Sequence, residues 1–310
     1  MTHHFKGKHI LHGGQFSRQD LEEIMEVARG LEEKAEAQQI PPLMKGKILA
    51  TLFFEPSTRT RLSFEAAMHR LQGDVISVAS AQTSSAAKGE TIADTARTVS
   101  QYADVIVIRH PKIGSAKEAA EAASVPVLNA GDGAGQHPTQ ALLDVYTIQK
   151  ELGSLEGITV SLVGDLKYGR TVHALVELLS LYPVKLVFVS PENLKMPVEI
   201  TEKLRQKGVQ VTETDNLGEA LAASDLLYVT RIQKERFSDL SEYEKIKGTY
   251  VISDRLLREA KKEPTIMHPL PRVDEITTDV DAHPGAAYFR QVRNGIFVRM
   301  ALLAMVTGAA

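Results

Sequence analysis

The chain has 310 residues, of which 43% are hydrophobic and 24% charged, and its formal net charge at pH 7 is −3. This length allows two domains with sizeable cores, and the negative balance excludes a general electrostatic attraction to nucleic acid or anionic membranes. The sequence contains no cysteine, which excludes disulfides, thiol catalysis and cysteine-ligated zinc.

The N-terminus lacks the apolar centre of a signal peptide, and no apolar run in the sequence approaches the ~18 residues of a membrane span. We therefore expect a cytoplasmic protein. Four histidines lie within the first twelve residues, at positions 3, 4, 9 and 12. We interpret them as part of a mobile, solvated terminus rather than as metal ligands, because chain ends are usually poorly ordered.

Strand and helix patterns alternate through the first half of the chain. Ser17, followed by Asp20, predicts the start of a helix with an apolar face from Leu21 to Leu31. Strand patterns, each followed by a helical one, lie at residues 48–54, 74–79, 104–109 and 125–130, with the helix after the second predicted at 90–102. This alternation predicts a parallel sheet covered on both faces.

A segment bounded by glycines, Gly153–Gly157, is the predicted domain boundary, and the alternation restarts after it. Strands are predicted at residues 158–163, 184–190, 209–214, 225–230, 250–252 and 265–267, and a last apolar helix at 296–306. The predicted fold class is α/β, with two domains joined by a short linker, each a parallel β-sheet flanked by helices.

The most informative stretch follows the first strand. Ser57-Thr58-Arg59-Thr60-Arg61 comes after a buried strand and the turn residue Pro56, and a helical pattern follows. The first turn of a helix carries backbone N–H groups without an intrahelical partner, at the positive end of the helix dipole. Hydroxyls and arginines added there predict an anion site, most naturally one for phosphate.

Cationic or amide side chains also follow most other predicted strands, where parallel sheets bind ligands. They are Arg109, His137 with Gln140, Arg170, Arg231 with Gln233, and the segment from His268 to Arg272. Because they come from both halves of the chain, we expect a cleft between the domains that collects several negative charges.

Two glycine-rich segments resemble nucleotide sites incompletely. Gly164–Thr171 has Arg170 where a nucleotide P-loop has lysine, and Asp165 would repel phosphate. Gly131 and Gly133 begin a dinucleotide fingerprint, but its third glycine position is Gln136. We interpret both segments as tight turns.

Taken together, these segments resemble the catalytic chains of the aspartate carbamoyltransferase family. The matching stretches are 56–65, 88–91, 108–111, 129–140, 164–173, 230–236 and 268–276. Ornithine carbamoyltransferases share the anion loop. They carry cysteine at the position of Thr139 and in the segment that matches Pro269–Glu275, whereas this chain has no cysteine.

The resemblance implies transfer of a carbamoyl group from carbamoyl phosphate to the α-amine of L-aspartate, the committed step of de novo pyrimidine synthesis, without metal or organic cofactor. It implies catalytic roles for Arg59, Thr60, Arg109 and His137. It implies that carbamoyl phosphate is bound by Ser57, Thr58, Arg59, Thr60, Arg109, His137, Gln140, Ser84 and Lys88. Aspartate would be bound by Lys88, Arg170, Arg231, Gln233, Leu270 and Pro271.

The resemblance further implies a carbamoyl-phosphate domain at residues 1–150 and 290–310, an aspartate domain at 151–289, and a C-terminal helix that crosses back. It implies a homotrimer whose sites are shared, with Ser84 and Lys88 coming from the neighbour, and domain closure aided by Glu55, Arg170 and Arg236. A separate regulatory chain is a possible partner. Two alternatives stay open: a carbamoyltransferase for another amino acid, and a catalytically silent scaffold within a larger complex.

Overall fold

A computed structural model describes residues 3–232, 244, 248–260 and 262–310. The chain forms two compact units: Met1–Tyr146 with Arg293–Ala310, and Thr147–Val292. Two helices, α5 (Pro138–Leu152) and α10 (Tyr288–Val306), contribute residues to both units, so the C-terminal helix returns the chain to the first unit. Among the described residues, none of the helices has both the length and the hydropathy needed to cross a membrane.

The first unit contains a four-stranded parallel sheet in the order β2-β1-β3-β4. Its strands are β1 (Ile48–Phe53), β2 (Asp74–Val78), β3 (Val105–His110) and β4 (Val127–Asp132). The three strands β1, β3 and β4 are almost wholly buried, whereas β2, at the edge, is largely exposed. The mainly apolar sequence of β1 and the apolar start of β3 are typical of parallel strands covered on both faces.

Helices of the first unit are α1 (Arg18–Glu36), α2 (Thr58–Arg70), α3 (Ile92–Val99) and α4 (Ser115–Ala122), together with parts of α5 and α10. The predicted start of α1 is confirmed: the Ser17 side chain accepts from the Asp20 N–H, and the Asp20 carboxylate accepts from the Ser17 N–H at 2.8 Å. The helix predicted at 90–102 is shorter in the structure, where α3 spans Ile92–Val99. Thr91 is its N-cap residue, and the Ser100 hydroxyl donates to the Ala96 carbonyl at its C-terminal end.

Our interpretation of the N-terminus as mobile is wrong for residues 9–11. The Ile10 N–H donates to the Val127 carbonyl at 2.9 Å, and the Asn129 N–H donates to the Ile10 carbonyl at 2.8 Å. The His9 ring accepts from the Val127 N–H, and burial lowers the pKa of His9. The segment thus satisfies backbone groups along the outer edge of β4, which an exposed strand edge would leave unpaired.

The second unit contains a five-stranded parallel sheet in the order β7-β6-β5-β8-β9. Its strands are β5 (Thr159–Val163), β6 (Lys185–Val189), β7 (Gln210–Thr214), β8 (Leu226–Val229) and β9 (Thr265–Met267). Its helices are α6 (Arg170–Leu179), α7 (Val198–Gln206), α8 (Leu217–Ala223) and α9 (Asp254–Glu259). The predicted class, two parallel sheets flanked by helices, is confirmed.

The strand predicted at 250–252 is wrong. Only Ile252 pairs, in a single parallel bridge with Ile276, where it accepts from the Thr277 N–H and donates to the Glu275 carbonyl. Three apolar residues carry no periodicity that distinguishes an isolated bridge from a strand.

Candidate active site

The strand order of the first sheet reverses between β1 and β3, which makes this position a topological switch point. The chain moves from β1 outward to β2, and from β3 outward to β4 on the other side. Ligands of open α/β sheets bind at such a point, beyond the carboxyl ends of the strands. Arg109 is in register with Phe53, and its carbonyl accepts from the Phe54 N–H at 2.8 Å. The structure therefore places Arg109 beside the start of the predicted anion loop.

The anion loop enters α2 at its first turn, as predicted. Ser57 is the N-cap residue, with φ −160°, but its side chain makes no capping hydrogen bond. Thr58 and Arg59 are exposed, Ser57 is half-buried and Thr60 is buried. Unpaired N–H groups at the positive end of the 13-residue α2 thus lie beside three hydroxyls and a guanidinium, an arrangement suited to a phosphate group.

Arg109 is held by contacts on both sides. Its side chain is only 12% exposed, its Nε lies 3.0 Å from Glu55 Oε2, and Nη1 donates to the Ala130 carbonyl at 3.2 Å. These contacts fix the guanidinium between the ends of β1 and β4. Glu55, predicted to act in domain closure, here pairs with Arg109. Its part in closure stays a prediction, and its predicted companion Arg236 lies outside the described residues.

His137 and Gln140 come from the junction of β4 and α5. His137 is 4% exposed, and its carbonyl accepts from the Gln140 and Ala141 N–H groups, so it immediately precedes the first helical turn. Gln140 Nε2 donates to Asp144 Oδ1 at 2.9 Å. The structure therefore brings the ends of β1, β3 and β4, with the predicted residues they carry, to one edge of the sheet.

The glycine loop before His137 is a tight turn rather than a nucleotide site. Gly133 has φ +58°, and a Cβ there would lie 2.1 Å from the Pro111 carbonyl oxygen. The Asp132 carboxylate accepts from the Gln136 and Gly114 N–H groups, and a Cβ on Gly135 would lie 2.6 Å from Asp132 Oδ1. The glycines allow the loops after β3 and β4 to pack closely.

Ser84 and Lys88 lie in the loop after the edge strand β2. The Ser84 hydroxyl donates to the Ala81 carbonyl at 2.8 Å and accepts from the Ala86 N–H, while Lys88 is exposed. Within the described part of the chain, neither side chain has a hydrogen bond or ion pair with the residues at the ends of β1, β3 and β4. Their predicted contribution to a neighbouring chain's site stays a prediction.

The second sheet has its own topological switch point, between β5 and β8, and β9 lies next to β8. Arg170 opens α6 after β5, Arg231 follows β8, and Leu270 with Pro271 follows β9. Gly164 has φ +113°, and a Cβ there would lie 2.4 Å from the Thr230 carbonyl oxygen, so the loops after β5 and β8 approach closely. Gln233 lies outside the described residues.

Sequence reasoning missed a buried pair that shapes the loop after β9. His268 Nε2 lies 2.7 Å from Glu275 Oε1, and both side chains are almost wholly buried. His268 Nδ1 accepts from the Leu270 N–H at 2.7 Å, so Nε2 must carry the ring proton and donate it to Glu275. Leu270 has φ +56°, an unfavourable conformation for leucine that these hydrogen bonds stabilise.

Arg272, the cation of this loop, has a structural partner. Its guanidinium pairs with the Asp281 carboxylate through both terminal nitrogens, one at 2.7 Å, and donates to the Tyr288 hydroxyl at 3.0 Å. The charge of Arg272, which we predicted to lie at this strand end, is therefore neutralised by Asp281 within its own unit.

Replacement of Glu275 by glutamine should change how stability depends on pH. Burial alone would raise the pKa of Glu275, but hydrogen bonds from His268 and the Val273 N–H hold that pKa below its usual value. A depressed carboxyl pKa contributes stability above the unfolded pKa, and this contribution is lost as the pH falls through the folded value. We expect the variant to be less stable at pH 7 by about 1–3 kcal/mol, with a smaller difference near pH 4.

Urea unfolding followed by circular dichroism measures this difference, since the chain has no tryptophan. Glu202→Gln, at an exposed position of α7, is the matched control and should leave stability unchanged at both pH values. A stability gap that is equal at pH 7 and pH 4 contradicts the assignment.

Comparison with known proteins assigns each half of the chain to one family. Residues 8–150 match the carbamoyl-phosphate-binding domain of aspartate/ornithine carbamoyltransferases, and residues 156–306 match their aspartate/ornithine-binding domain. The aspartate carbamoyltransferase catalytic subunit of Thermococcus gammatolerans is 56% identical over 304 residues, which cover 98% of this chain and 99% of that one.

Solved structures agree with the sequence comparison. The catalytic subunit of M. jannaschii aspartate transcarbamoylase has a TM-score of 0.91 at 52% identity and covers 96% of this chain and 97% of its own. The Trypanosoma cruzi enzyme in complex with N-(phosphonacetyl)-L-aspartic acid has a TM-score of 0.93 at 47% identity, with 98% and 97% covered. The chain therefore belongs to the aspartate/ornithine carbamoyltransferase family and, within it, groups with the aspartate carbamoyltransferase catalytic subunits.

Proposed function

We propose that the chain transfers the carbamoyl group of carbamoyl phosphate to the α-amine of L-aspartate, giving N-carbamoyl-L-aspartate and phosphate. The proposal rests mainly on the topological switch point between β1 and β3, where the first turn of α2 and the fixed guanidinium of Arg109 come together. Relatives from Trypanosoma cruzi solved with carbamoyl phosphate and aspartate support the same pair of substrates.

In this proposal the phosphate of carbamoyl phosphate is bound by the loop that opens α2. Ser57, Thr58 and Thr60 donate hydroxyl hydrogen bonds, and Arg59 supplies positive charge from the exposed side of the same turn. Arg109 bridges the phosphate and the carbonyl oxygen. Because its guanidinium is already fixed by Glu55 and Ala130, little side-chain entropy is lost when the substrate binds.

The chemical step is the attack of the aspartate amine on the carbamoyl carbon. The carbonyl oxygen gains negative charge as the tetrahedral intermediate forms, and Thr60, Arg109 and His137 direct hydrogen-bond donors at it. Gln140 and the backbone at Leu270 accept hydrogen bonds from the carbamoyl NH2. The C–O bond to phosphate then breaks, and the leaving phosphate accepts a proton from the attacking amine. These steps need no metal or organic cofactor.

Aspartate has two carboxylates, and the second unit supplies cations and backbone groups for them. Arg170 and Arg231 extend from neighbouring strands of one sheet edge, and guanidinium forks suit carboxylates. Gln233, the Leu270–Pro271 segment and a lysine from a neighbouring chain, Lys88, complete the predicted set. We assign residues 1–150 and 290–310 to carbamoyl phosphate binding and 151–289 to aspartate binding.

The proposal extends to assembly and cellular role. We infer a homotrimer in which Ser84 and Lys88 enter the neighbour's site. The position of their loop after an edge strand and the exposure of Lys88 are compatible with such a contact. It acts in the cytoplasm at the committed step of pyrimidine synthesis. A separate regulatory chain is a further candidate partner.

Production of carbamoyl-amino acid with aspartate or ornithine as acceptor tests the function. We expect formation of carbamoyl-aspartate and an equal amount of phosphate, with turnover of ornithine lower by at least about 10³-fold, because a cationic side chain would meet the arginines instead of pairing with them. Release of phosphate without carbamoyl-aspartate, or preference for ornithine, would overturn the proposal. A scaffold without activity would form neither product.

A further inference from the structure

Polar side chains on three helices of the first unit interact, and two of them, Asp144 and Arg299, are buried. Gln140 Nε2 donates to Asp144 Oδ1, one turn later on α5, at 2.9 Å, and Asp144 is completely buried. Arg299 of α10 is 4% exposed and donates from Nη1 to Ser63 Oγ of α2 at 2.9 Å. The negative charge of Asp144 acts on the Arg299 guanidinium. The network therefore extends from the helix of the anion loop to the helix that carries Gln140.

The interior of the unit is shaped to hold the cation of Arg299. A Cβ on Gly295, one turn earlier on α10, would lie 2.5 Å from Arg299 Nη1 and 3.0 Å from a methyl carbon of Leu143. The guanidinium also lies over the ring of Phe64, 5.1 Å from its centroid. Burial lowers the pKa of Arg299 to about 10, and Asp144 opposes that lowering. Arg299 is therefore protonated at neutral pH, and its positive charge interacts with the Asp144 carboxyl group.

An ionised carboxylate accepts hydrogen bonds and donates none. The structure shows the Gln140 NH2 group donating to Asp144 Oδ1, and the reverse orientation would set the amide oxygen against a carboxylate oxygen. Oε1 lies on the other branch of the amide and faces away from Asp144. An amide oxygen held in this orientation accepts hydrogen bonds from a substrate NH2 group and cannot hydrogen-bond an acceptor or a methyl group.

We propose that Asp144 is a positioning residue that fixes the amide orientation of Gln140 and so selects an NH2 group on the carbonyl carbon of the phosphorylated substrate. This inference rests on the proposed function, in which Gln140 accepts from the carbamoyl NH2. It adds that specificity for a carbamoyl over an acetyl group depends on a buried carboxylate that does not touch the substrate.

Two unreactive phosphonates test the selection. Phosphonoacetamide and acetonylphosphonate share the phosphonate and the carbonyl and differ only by NH2 against CH3. In calorimetric titrations the wild type should bind the amide more tightly, and Asp144→Asn should reduce that preference about tenfold. The Arg299 cation attracts the oxygen of the new asparagine, whose NH2 then faces Gln140 and reverses its amide.

Gln140→Ala should lose the same preference, and the double variant Asp144→Asn/Gln140→Ala should lose no more than either single one. Tyr146→Phe is the matched control, because it removes another buried hydrogen bond of α5, to Glu32, without touching Gln140. It should keep the wild-type preference. Asp144→Asn removes the negative charge that acts on the buried Arg299 cation, so Asp144→Ala/Arg299→Met serves where the single variant does not fold, because it removes both charges and the group that orients the Gln140 amide.

The outcomes separate the two proposals. An unchanged preference in folded Asp144 variants, or equal weakening of both phosphonates, overturns the positioning role and leaves the carbamoyl-transfer proposal standing. A wild type that binds neither phosphonate overturns both. Loss of the preference without loss of acetonylphosphonate binding supports the inference, since a merely structural defect weakens both ligands together.

Discussion

Replacement of Arg59 by alanine should lower kcat/KM for carbamoyl phosphate by about 10³-fold, equivalent to ~4 kcal/mol of transition-state stabilisation. Arg59 is exposed in the first turn of α2, beside hydroxyls and N–H groups that suit a phosphate. The departing phosphate carries more negative charge than the phosphate group of the bound acyl phosphate, so loss of the cation should reduce kcat as well as affinity. Steady-state kinetics with varied carbamoyl phosphate measure both.

Arg70→Ala is the matched control, because Arg70 is exposed at the opposite end of the same helix. It should retain wild-type kinetics, and circular dichroism should show that both variants are folded. If Arg59→Ala keeps kcat/KM within a factor of about ten, the loop that opens α2 is not the phosphate site.

Mixtures of two inactive variants should recover activity. In a ring of chains whose sites each combine Arg59 of one chain with Lys88 of its neighbour, Arg59→Ala and Lys88→Ala are complementary. A site is intact when its own chain carries Arg59 and its neighbour carries Lys88. Random reassembly of an equal mixture should therefore restore about one quarter of the wild-type activity.

Each variant is denatured, mixed, refolded and assayed, and each alone serves as its own baseline. A mixture of Arg59→Ala with Arg109→Ala is the matched control. Each site takes both arginines from a single chain, so no combination of these two variants forms an intact site. Recovery in the control, or none in the Arg59 and Lys88 mixture, contradicts shared sites.

The positions of the site residues could be predicted from sequence because they depend on local pattern. Apolar runs locate the parallel strands, and whatever follows each run lies at the carboxyl edge of a sheet. That reasoning placed Arg59 and Arg109 at the carboxyl edge of one sheet, and Arg170 and Arg231 at that of the other, as the two sheets show. It did not give the strand order, which sets Arg109 next to the loop of Arg59.

The partners of these residues could not be predicted in the same way. The pairing of Glu55 with Arg109 depends on how closely two strand ends approach, and that of His268 with Glu275 depends on the path of a loop. The contact between Arg299 and Ser63 joins residues 236 positions apart. Such pairs follow from tertiary packing, for which the periodicity of one segment carries no signal.

The most direct test of the account is a calorimetric titration with N-(phosphonacetyl)-L-aspartate, which joins a phosphonate to a dicarboxylate. We expect it to bind at least about 10²-fold more tightly than phosphonoacetamide or succinate alone. Arg59→Ala in the first unit and Arg231→Ala in the second should each weaken it. Affinity no higher than that of the fragments, or sensitivity to only one of the two substitutions, would contradict the claim that both sets of groups act on one pair of substrates.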